Sequence, residues 1–255
     1  MIQVASLSLQ GRRNSNQDRV FVSRNAKSGE SIVAAVADGL GGMIAGDKAA
    51  QIAVDTLGEE ADALMAQVSR NFDQAREFAA EVCQRANDKI GDWAEANVGE
   101  GNVGTTLVTL IASGSKYLVL NVGDSRCYLI DDNSVRQVTQ DHTVADSLVK
   151  QGALALADYD ASPLRNQLTR SLGPHPTTVP DIFPNGQFGS INTRCTFLLC
   201  SDGFYSKLKD ADLMKLQNFS EKLEDVLAAL AEAALDRDST DNVSAVAVRF
   251  EQNKK

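Results

Sequence analysis

The first candidates for chemistry are five aspartates that stand where apolar, strand-like segments meet loops: Asp18, Asp38, Asp124, Asp202 and Asp241. Three of them adjoin a glycine, and no matching set of lysines or arginines accompanies them. A carboxylate at the edge of a core is costly unless it is paired or bound to a cation. A single Asp-Gly pair is most often a plain turn, but five carboxylates at the ends of different strands predict a shared role. Oxygen-rich, histidine-poor clusters suit hard cations such as Mg²⁺ or Mn²⁺ and do not suit zinc.

The segments that must position these aspartates come in blocks of strands and helices. Apolar residues at every second position predict strands, and i, i+3, i+4 spacing predicts helices. Strands are predicted at residues 2–9, 19–23, 31–37, 105–112, 116–122, 125–131, 135–138, 177–183, 196–200 and 243–250, and helices at 46–64, 71–96, 143–151, 210–217 and 221–236. Short turns join the four strands between residues 105 and 138, which predicts an antiparallel meander. Without βαβ alternation, the blocks favour an α+β layered sandwich, and the lack of repeats or linkers favours one domain over residues 1–255.

Composition limits the class of protein. The chain has 255 residues, 43% of them hydrophobic, and a formal net charge of −9. This acidic balance argues against broad nucleic-acid binding, which needs a basic surface. The apolar run at residues 32–37 is far too short to cross a bilayer, and no signal-peptide pattern opens the sequence. The four cysteines form no C-x-x-C pair and are expected to be reduced. We therefore expect a cytoplasmic monomer without membrane insertion or nucleic-acid partners.

Seven short motifs, taken in order, resemble the protein phosphatase 2C family of metal-dependent Ser/Thr phosphatases. They are R-x-x-x-x-D, D-G-x-G-G, G-T-T-L, G-D-S-R, D-H, S-D-G and D-N, at residues 13–18, 38–42, 104–107, 123–126, 141–142, 201–203 and 241–242. Each motif is weak alone, but the ordered set is highly specific and spans roughly residues 5–250. The resemblance implies a four-layer αββα sandwich, in which two central antiparallel sheets are flanked by helix pairs. The compact length is similar to that of the bacterial branch.

The resemblance also implies a role for each candidate residue. Asp38 would bridge two Mn²⁺ or Mg²⁺ ions, Asp202 and Asp241 would hold one of them, and the Gly39 carbonyl would face the other. Asp18 would support a water shell, and a third ion, found in bacterial relatives, would use Asp124 and Asp202. Arg13 matches the arginine that grips the substrate phosphate, which suits a planar guanidinium. A metal-bridging hydroxide would attack phosphorus directly, without a covalent enzyme intermediate.

Two positions depart from the family pattern. Gln17 stands where relatives often have Glu, which removes a charge beside Asp18 and predicts weaker binding of the adjacent metal. Leu40 stands where some relatives carry a histidine proposed as general acid, and leucine cannot donate a proton. His142 is a candidate for that role by residue type only, and the alternative is a structural histidine bonded to a loop. Arg126 and Arg170 are expected to pair with nearby carboxylates, whereas His175, between two prolines, is a weaker candidate than His142.

The resemblance predicts a phosphoprotein phosphatase that reverses a bacterial Ser/Thr kinase, with that kinase and its phosphorylated targets as partners. Residues 144–165 correspond to the flap beside the active site in relatives, and we expect this surface insert to influence which phosphoprotein binds. One alternative is a non-catalytic regulator that keeps the fold, although a scaffold has no need for a costly carboxylate cluster. A small-molecule phosphomonoesterase would use the same chemistry, so the motifs leave it open.

Overall fold

The computed structural model describes residues 1–25, 30–41, 45–99, 103–159, 161–173, 178–192 and 194–251. Its strands are β1 (Ile2–Leu9), β2 (Asp18–Arg24), β3 (Ser31–Leu40), β4 (Gly104–Thr105), β5 (Leu107–Ser113), β6 (Lys116–Val122), β7 (Arg126–Ile130), β8 (Val135–Gln137), β9 (Asp181–Phe183), β10 (Gly189–Ser190), β11 (Cys195–Cys200) and β12 (Val243–Phe250). Its α-helices are α1 (Ala45–Val68), α2 (Phe72–Asn97), α3 (Val144–Lys150), α4 (Asp202–Tyr205), α5 (Asp210–Leu213) and α6 (Leu223–Asp236). Short 3₁₀ helices lie at Leu156–Asp158, Pro163–Asn166 and Met214–Gln217.

Within the described residues the strands form two antiparallel sheets. One sheet has the order β1-β12-β11-β7-β8. The other has the order β10-β6-β5-β3-β2, with β4 also paired to β3 and β9 to β6. The two sheets face each other across an apolar layer that includes Val36, Val108, Phe197 and Val246. Strands that end at the same edge of this sandwich can therefore bring their loop residues together.

Helices cover the outer faces of both sheets. In α1, Ala49, Ala53 and Leu57 recur at i, i+4 spacing and form an apolar stripe that packs, together with α2, against the sheet containing β3 and β5. The side chain of Asn71 caps α2 by accepting a hydrogen bond from the Gln74 N–H at 3.2 Å. On the opposite side, α6 packs against β1 and β12. The layers run helix, sheet, sheet, helix, which confirms the predicted α+β four-layer sandwich.

The predicted meander between residues 105 and 138 is wrong in its middle. β5 pairs with β6 and β7 pairs with β8, but β6 and β7 belong to different sheets. Gly123, with a φ of +100°, turns the chain from one sheet to the other, and a Cβ there would lie 2.6 Å from Thr106 Cγ2. A short connection favours a hairpin, but here pairing of β7 with β11 prevails. Asp124 therefore lies at a crossing between sheets and not in a hairpin.

Most predicted bounds lie within a few residues of the observed ones, and the exceptions are local. The predicted strand at 105–112 divides around Thr106 into β4 and β5, and the strand predicted at 177–183 is observed from Asp181, while residue 177 lies outside the described residues. The helix predicted at 210–217 is α5 followed by a 3₁₀ turn, and the sequence pattern does not predict α4 or β10. Among the described residues, no helix combines the length and apolar character that a membrane crossing requires.

Candidate metal centre

Two aspartates of the candidate site lie directly opposite each other on neighbouring strands. Asp18 begins β2 and pairs in register with Asp38 near the end of β3, a position in which like charges repel. Only 1% of Asp18 is exposed, and burial raises the pKa of its carboxyl group to about 6. Burial also raises the pKa of Asp38 well above its ordinary value, and the charge of Asp18 raises it further. The facing pair is therefore stabilised by protons or by cations.

Asp124 and Asp202 belong to the same electrostatic cluster. Asp124 lies at the crossing between the sheets, and Asp202 begins α4 just after β11. Burial and then the charge of Asp202 raise the pKa of Asp124 to about 8. Burial and then the charge of Asp241 raise the pKa of Asp202 to about 6. These charge effects are those of carboxylates that lie near one another, and the hydrogen bond from Ser201, after β11, to Asp18, at the start of β2, joins strand ends of the two sheets.

Two buried carboxylate oxygens of this cluster have no hydrogen-bond partner among the described residues, namely Asp18 Oδ1 and Asp202 Oδ1. The other oxygen of Asp18 accepts a hydrogen bond from the Ser201 hydroxyl at 2.8 Å. Leaving a buried carboxylate oxygen without a partner is costly, and a hard divalent cation is a natural partner for it. Among the described residues, no three acidic, histidine or cysteine side chains are grouped closely enough to hold a metal ion by themselves. The chemistry of the donor set, all oxygen atoms of carboxylates, nevertheless fits Mn²⁺ or Mg²⁺.

Arg13 and Asp241 contact each other, although the family resemblance implies different roles for them, phosphate binding and metal binding. Arg13 Nη2 donates a hydrogen bond to Asp241 Oδ2 at 2.6 Å, and this bond raises the pKa of Arg13. The other oxygen of Asp241 accepts the Asn242 N–H at 2.8 Å. The Arg13 side chain is 56% exposed, so it is accessible to an anion arriving from solvent. The residue expected to bind phosphate and one of the residues expected to bind a cation thus form an ion pair with each other.

Threonines of the G-T-T-L motif hold the backbone of Asp38. The Asp38 N–H donates to Thr106 Oγ1 at 3.0 Å, and the Thr105 hydroxyl donates to the Asp38 carbonyl at 2.9 Å. At the next position, a Cβ on Gly39 would lie 2.2 Å from the Gly46 carbonyl oxygen. The first turn of α1 therefore requires glycine at position 39 for close packing. A ligand role for the Gly39 carbonyl stays a prediction, and residue 42 of this motif lies outside the described residues.

His142 is a structural support for the Asp124 turn. The histidine is 2% exposed, and its Nδ1 accepts the Gly123 N–H at 3.1 Å. That contact places the ring proton on Nε2, which lies 3.1 Å from Asp181 Oδ2. Burial lowers the pKa of His142. A buried, neutral imidazole with both nitrogens engaged is poorly suited to act as a general acid, so the structure favours the loop-bonded alternative. His175 lies outside the described residues.

The two other arginines pair with carboxylates as predicted. Arg126 donates to Asp141 from Nε at 3.0 Å and from Nη2 at 2.7 Å, and Arg170 donates to Asp181 at 2.8 Å. Thr106, Ser201 and Asn242 have supporting roles that their residue types and spacing do not predict. All three belong to the recognised motifs, so motif context was the signal that could have found them.

Comparisons with known proteins agree with the motif resemblance. The sequence profile described as protein phosphatase 2C matches residues 8–241. Serine/threonine phosphatase Stp of Listeria welshimeri is 31% identical over 239 residues, which cover 92% of this chain and 90% of that protein. Protein phosphatase PhpP of Streptococcus pneumoniae is 29% identical over 248 residues, with 94% of each chain covered.

Solved structures agree in fold. A crystal structure of a bacterial serine phosphatase has a TM-score of 0.86 and 26% identity and covers 100% of both chains. The catalytic domain of the phosphatase PstP, crystallised with two manganese ions, has a TM-score of 0.81 and 25% identity, with 98% of this chain and 99% of that chain covered. Since the profile matches most of the sequence and the motifs occur in order, the chain belongs to the protein phosphatase 2C family of serine/threonine phosphatases.

Proposed function

We propose that this phosphatase hydrolyses phosphoserine and phosphothreonine in proteins at a centre of two Mn²⁺ or Mg²⁺ ions, with a third ion beside them. The site would come from the strand-end cluster: Asp38, the Gly39 carbonyl, Asp124, Asp202 and Asp241 as ligands, and Asp18 as support for the water shell of one ion. The observation that carries this proposal is the in-register pair of Asp18 and Asp38, joined by the unpartnered buried oxygens of Asp18 and Asp202. Carboxylates in that arrangement, when ionised, need a counter-charge. The two manganese ions in the structure of the related PstP catalytic domain support a centre of two such ions.

Divalent cations would supply Lewis-acid chemistry that neutralises phosphoryl charge and acidifies water. The residues of the chain would provide binding and orientation. Arg13 presents a planar fork of N–H donors that matches two phosphate oxygens, and its exposed side chain stands beside Asp241. Leu40 provides no proton for the leaving alkoxide, and buried His142 faces Asp181 and Gly123. The leaving group would therefore take its proton from water in the site or from a group other than Leu40 and His142.

The insert at residues 144–165 would contribute to substrate selection as a flap. Its residues Tyr159 and Arg165 line a cavity of about 290 Å³ that Asp202 also lines. The Tyr159 hydroxyl donates to Asp141 Oδ2 at 2.9 Å, which ties the insert to the Arg126–Asp141 pair. A peptide with its phosphate at the aspartate cluster could place a flanking side chain in this cavity. We extend the proposal to the partners: a Ser/Thr kinase and the proteins it phosphorylates.

The test compares hydrolysis of an aryl phosphate, a phosphothreonine peptide and a small phosphorylated metabolite, each with Mn²⁺, Mg²⁺ or excess chelator. We expect chelation to abolish turnover and Mn²⁺ to restore it. Asp38→Asn should abolish it as well, whereas Asp55→Asn on the exposed face of α1 should not. Full activity after exhaustive chelation would contradict the metal centre. Turnover of the metabolite alone would favour a small-molecule phosphatase, and no turnover with bound metal would favour a non-catalytic regulator.

A further inference from the structure

A single buried amide side chain holds both ends of the connection between β1 and β2 (residues 10–17, here the arginine loop). Asn242 is 5% exposed and lies just before β12. Its Nδ2 donates hydrogen bonds to the carbonyl oxygens of Gln10 at 2.7 Å and Ser15 at 2.9 Å. Its Oδ1 accepts the Gln17 N–H at 2.9 Å. These three bonds orient the amide and attach the loop to the start of β12.

The arginine loop also packs directly on the backbone beside Asn242. Gly11 has a φ of +59°, and a Cβ at that position would lie 2.2 Å from the Asp241 carbonyl oxygen. Between the anchored ends of the loop, Gln10 Nε2 donates to the Arg13 carbonyl at 2.8 Å. The Arg13 guanidinium then reaches Asp241. The position of Arg13 relative to Asp241 is therefore defined through the loop backbone.

We propose that Asn242 is a positioning residue for phosphate binding, and that it acts by keeping Arg13 in register with Asp241. This inference rests on the proposed function, because it assumes that Arg13 contacts the phosphate. The Arg13 side chain is 56% exposed, and Asp241 is its hydrogen-bond partner within the described ranges. A long, exposed side chain samples many rotamers, so a fixed backbone origin is its main source of preorganisation. The two adjacent residues of the D-N motif would thus have different roles: Asp241 would bind the cation, and Asn242 would hold the arginine loop.

The test is a double-mutant cycle of Asn242→Ala and Arg13→Ala with an aryl phosphate and Mn²⁺. We expect Asn242→Ala to raise KM and the inhibition constant of inorganic phosphate roughly tenfold, the lower range for loss of a charge-assisted hydrogen bond. Mn²⁺ affinity, measured by calorimetry, should change little, because alanine keeps the backbone N–H that Asp241 Oδ1 accepts. In the Arg13→Ala background, Asn242→Ala should have almost no further effect on KM. Independent, additive effects would overturn the proposal.

Loop attachment has a readout that does not depend on catalysis. Trypsin cleaves after arginine, so release of the loop should speed cleavage at Arg12 and Arg13 in Asn242→Ala. Thr196→Val is the matched control, because it removes buried hydrogen bonds at the far end of β11 and should change neither KM nor this cleavage. If Asn242→Ala does not fold, Gly11→Ala should displace the same loop by steric contact and raise KM. Faster cleavage with unchanged KM would reduce Asn242 to a structural role, whereas an inactive wild type would refute the proposed function itself.

Discussion

Replacing Asp202 by asparagine should stabilise the metal-free protein and inactivate the metal-loaded one. Burial and the charge of Asp241 raise the pKa of Asp202 to about 6 from an ordinary 3.8. Each pKa unit corresponds to about 1.36 kcal/mol, so the ionised side chain lowers the free energy of unfolding by on the order of 3 kcal/mol at pH values near 8. Asparagine has a similar shape and no charge. For a chain of this size, recovering that free energy of unfolding corresponds to a rise in Tm of roughly 6–12 °C as an upper limit.

The assay is thermal unfolding of the wild type and Asp202→Asn in excess chelator and in saturating Mn²⁺, with turnover measured on the same preparations. In chelator the variant should melt higher. In Mn²⁺ the wild type should gain stability by preferential binding to the folded state, whereas the variant should gain little and should not turn over substrate. A variant that melts lower in chelator, or keeps the full Mn²⁺ shift and turnover, would refute the reasoning.

Asp212→Asn is the matched control for this charge removal. Asp212 accepts hydrogen bonds from Arg237 at 2.6 Å and from the Lys209 N–H at 3.0 Å, and the bond from Arg237 is the main reason that its pKa is lowered. Its charge is therefore stabilising. The same chemical change should lower Tm with and without Mn²⁺ and should leave turnover per folded molecule unchanged.

Three further predictions concern the same centre. In chelator, Tm should fall as the pH is raised from about 5 to about 9. The folded-state pKa values of Asp18 and Asp124, about 6 and about 8, exceed their ordinary values, so the folded protein loses its extra protons over this range. Mn²⁺ should remove most of this fall in Tm, and a pH-independent Tm in chelator would contradict the carboxylate cluster. Arg13→Ala should lower kcat/KM roughly 10- to 150-fold, because a charge-assisted hydrogen bond is lost, while Mn²⁺ affinity changes little. Steady-state kinetics and calorimetry measure the two quantities. A loss of metal affinity at constant KM would show that Arg13 is structural. Asp124→Ala should remove one bound ion and sharply reduce kcat, while the fold and the other ions remain. Metal stoichiometry, Tm and kcat measured on one preparation test this expectation. Normal turnover in the variant would exclude Asp124 from the site.

From the sequence alone, the candidate residues of the site and the layers of the fold could be predicted. Apolar periods of two and of about 3.6 residues are local properties, so strands such as β1 and β12 and helices such as α1 were predictable from neighbouring residues. The five aspartates and Arg13 were recognisable because each lies in a short motif at a strand end. Oxygen ligands and the lack of a histidine cluster indicated a hard cation before any geometry was known.

Tertiary structure alone decided how these residues meet. The in-register pairing of Asp18 with Asp38 depends on strand alignment, because a shift of one residue would send every side chain of a strand to its other face. The separation of β6 and β7 between two sheets depends on pairing with β11, which local turn patterns do not encode. The bond from Asn242 to Gln10 joins residues 232 positions apart. Such contacts arise from the packing of the whole chain, and for this reason the ion pair of Arg13 with Asp241 and the attachment of its loop could be seen only in three dimensions.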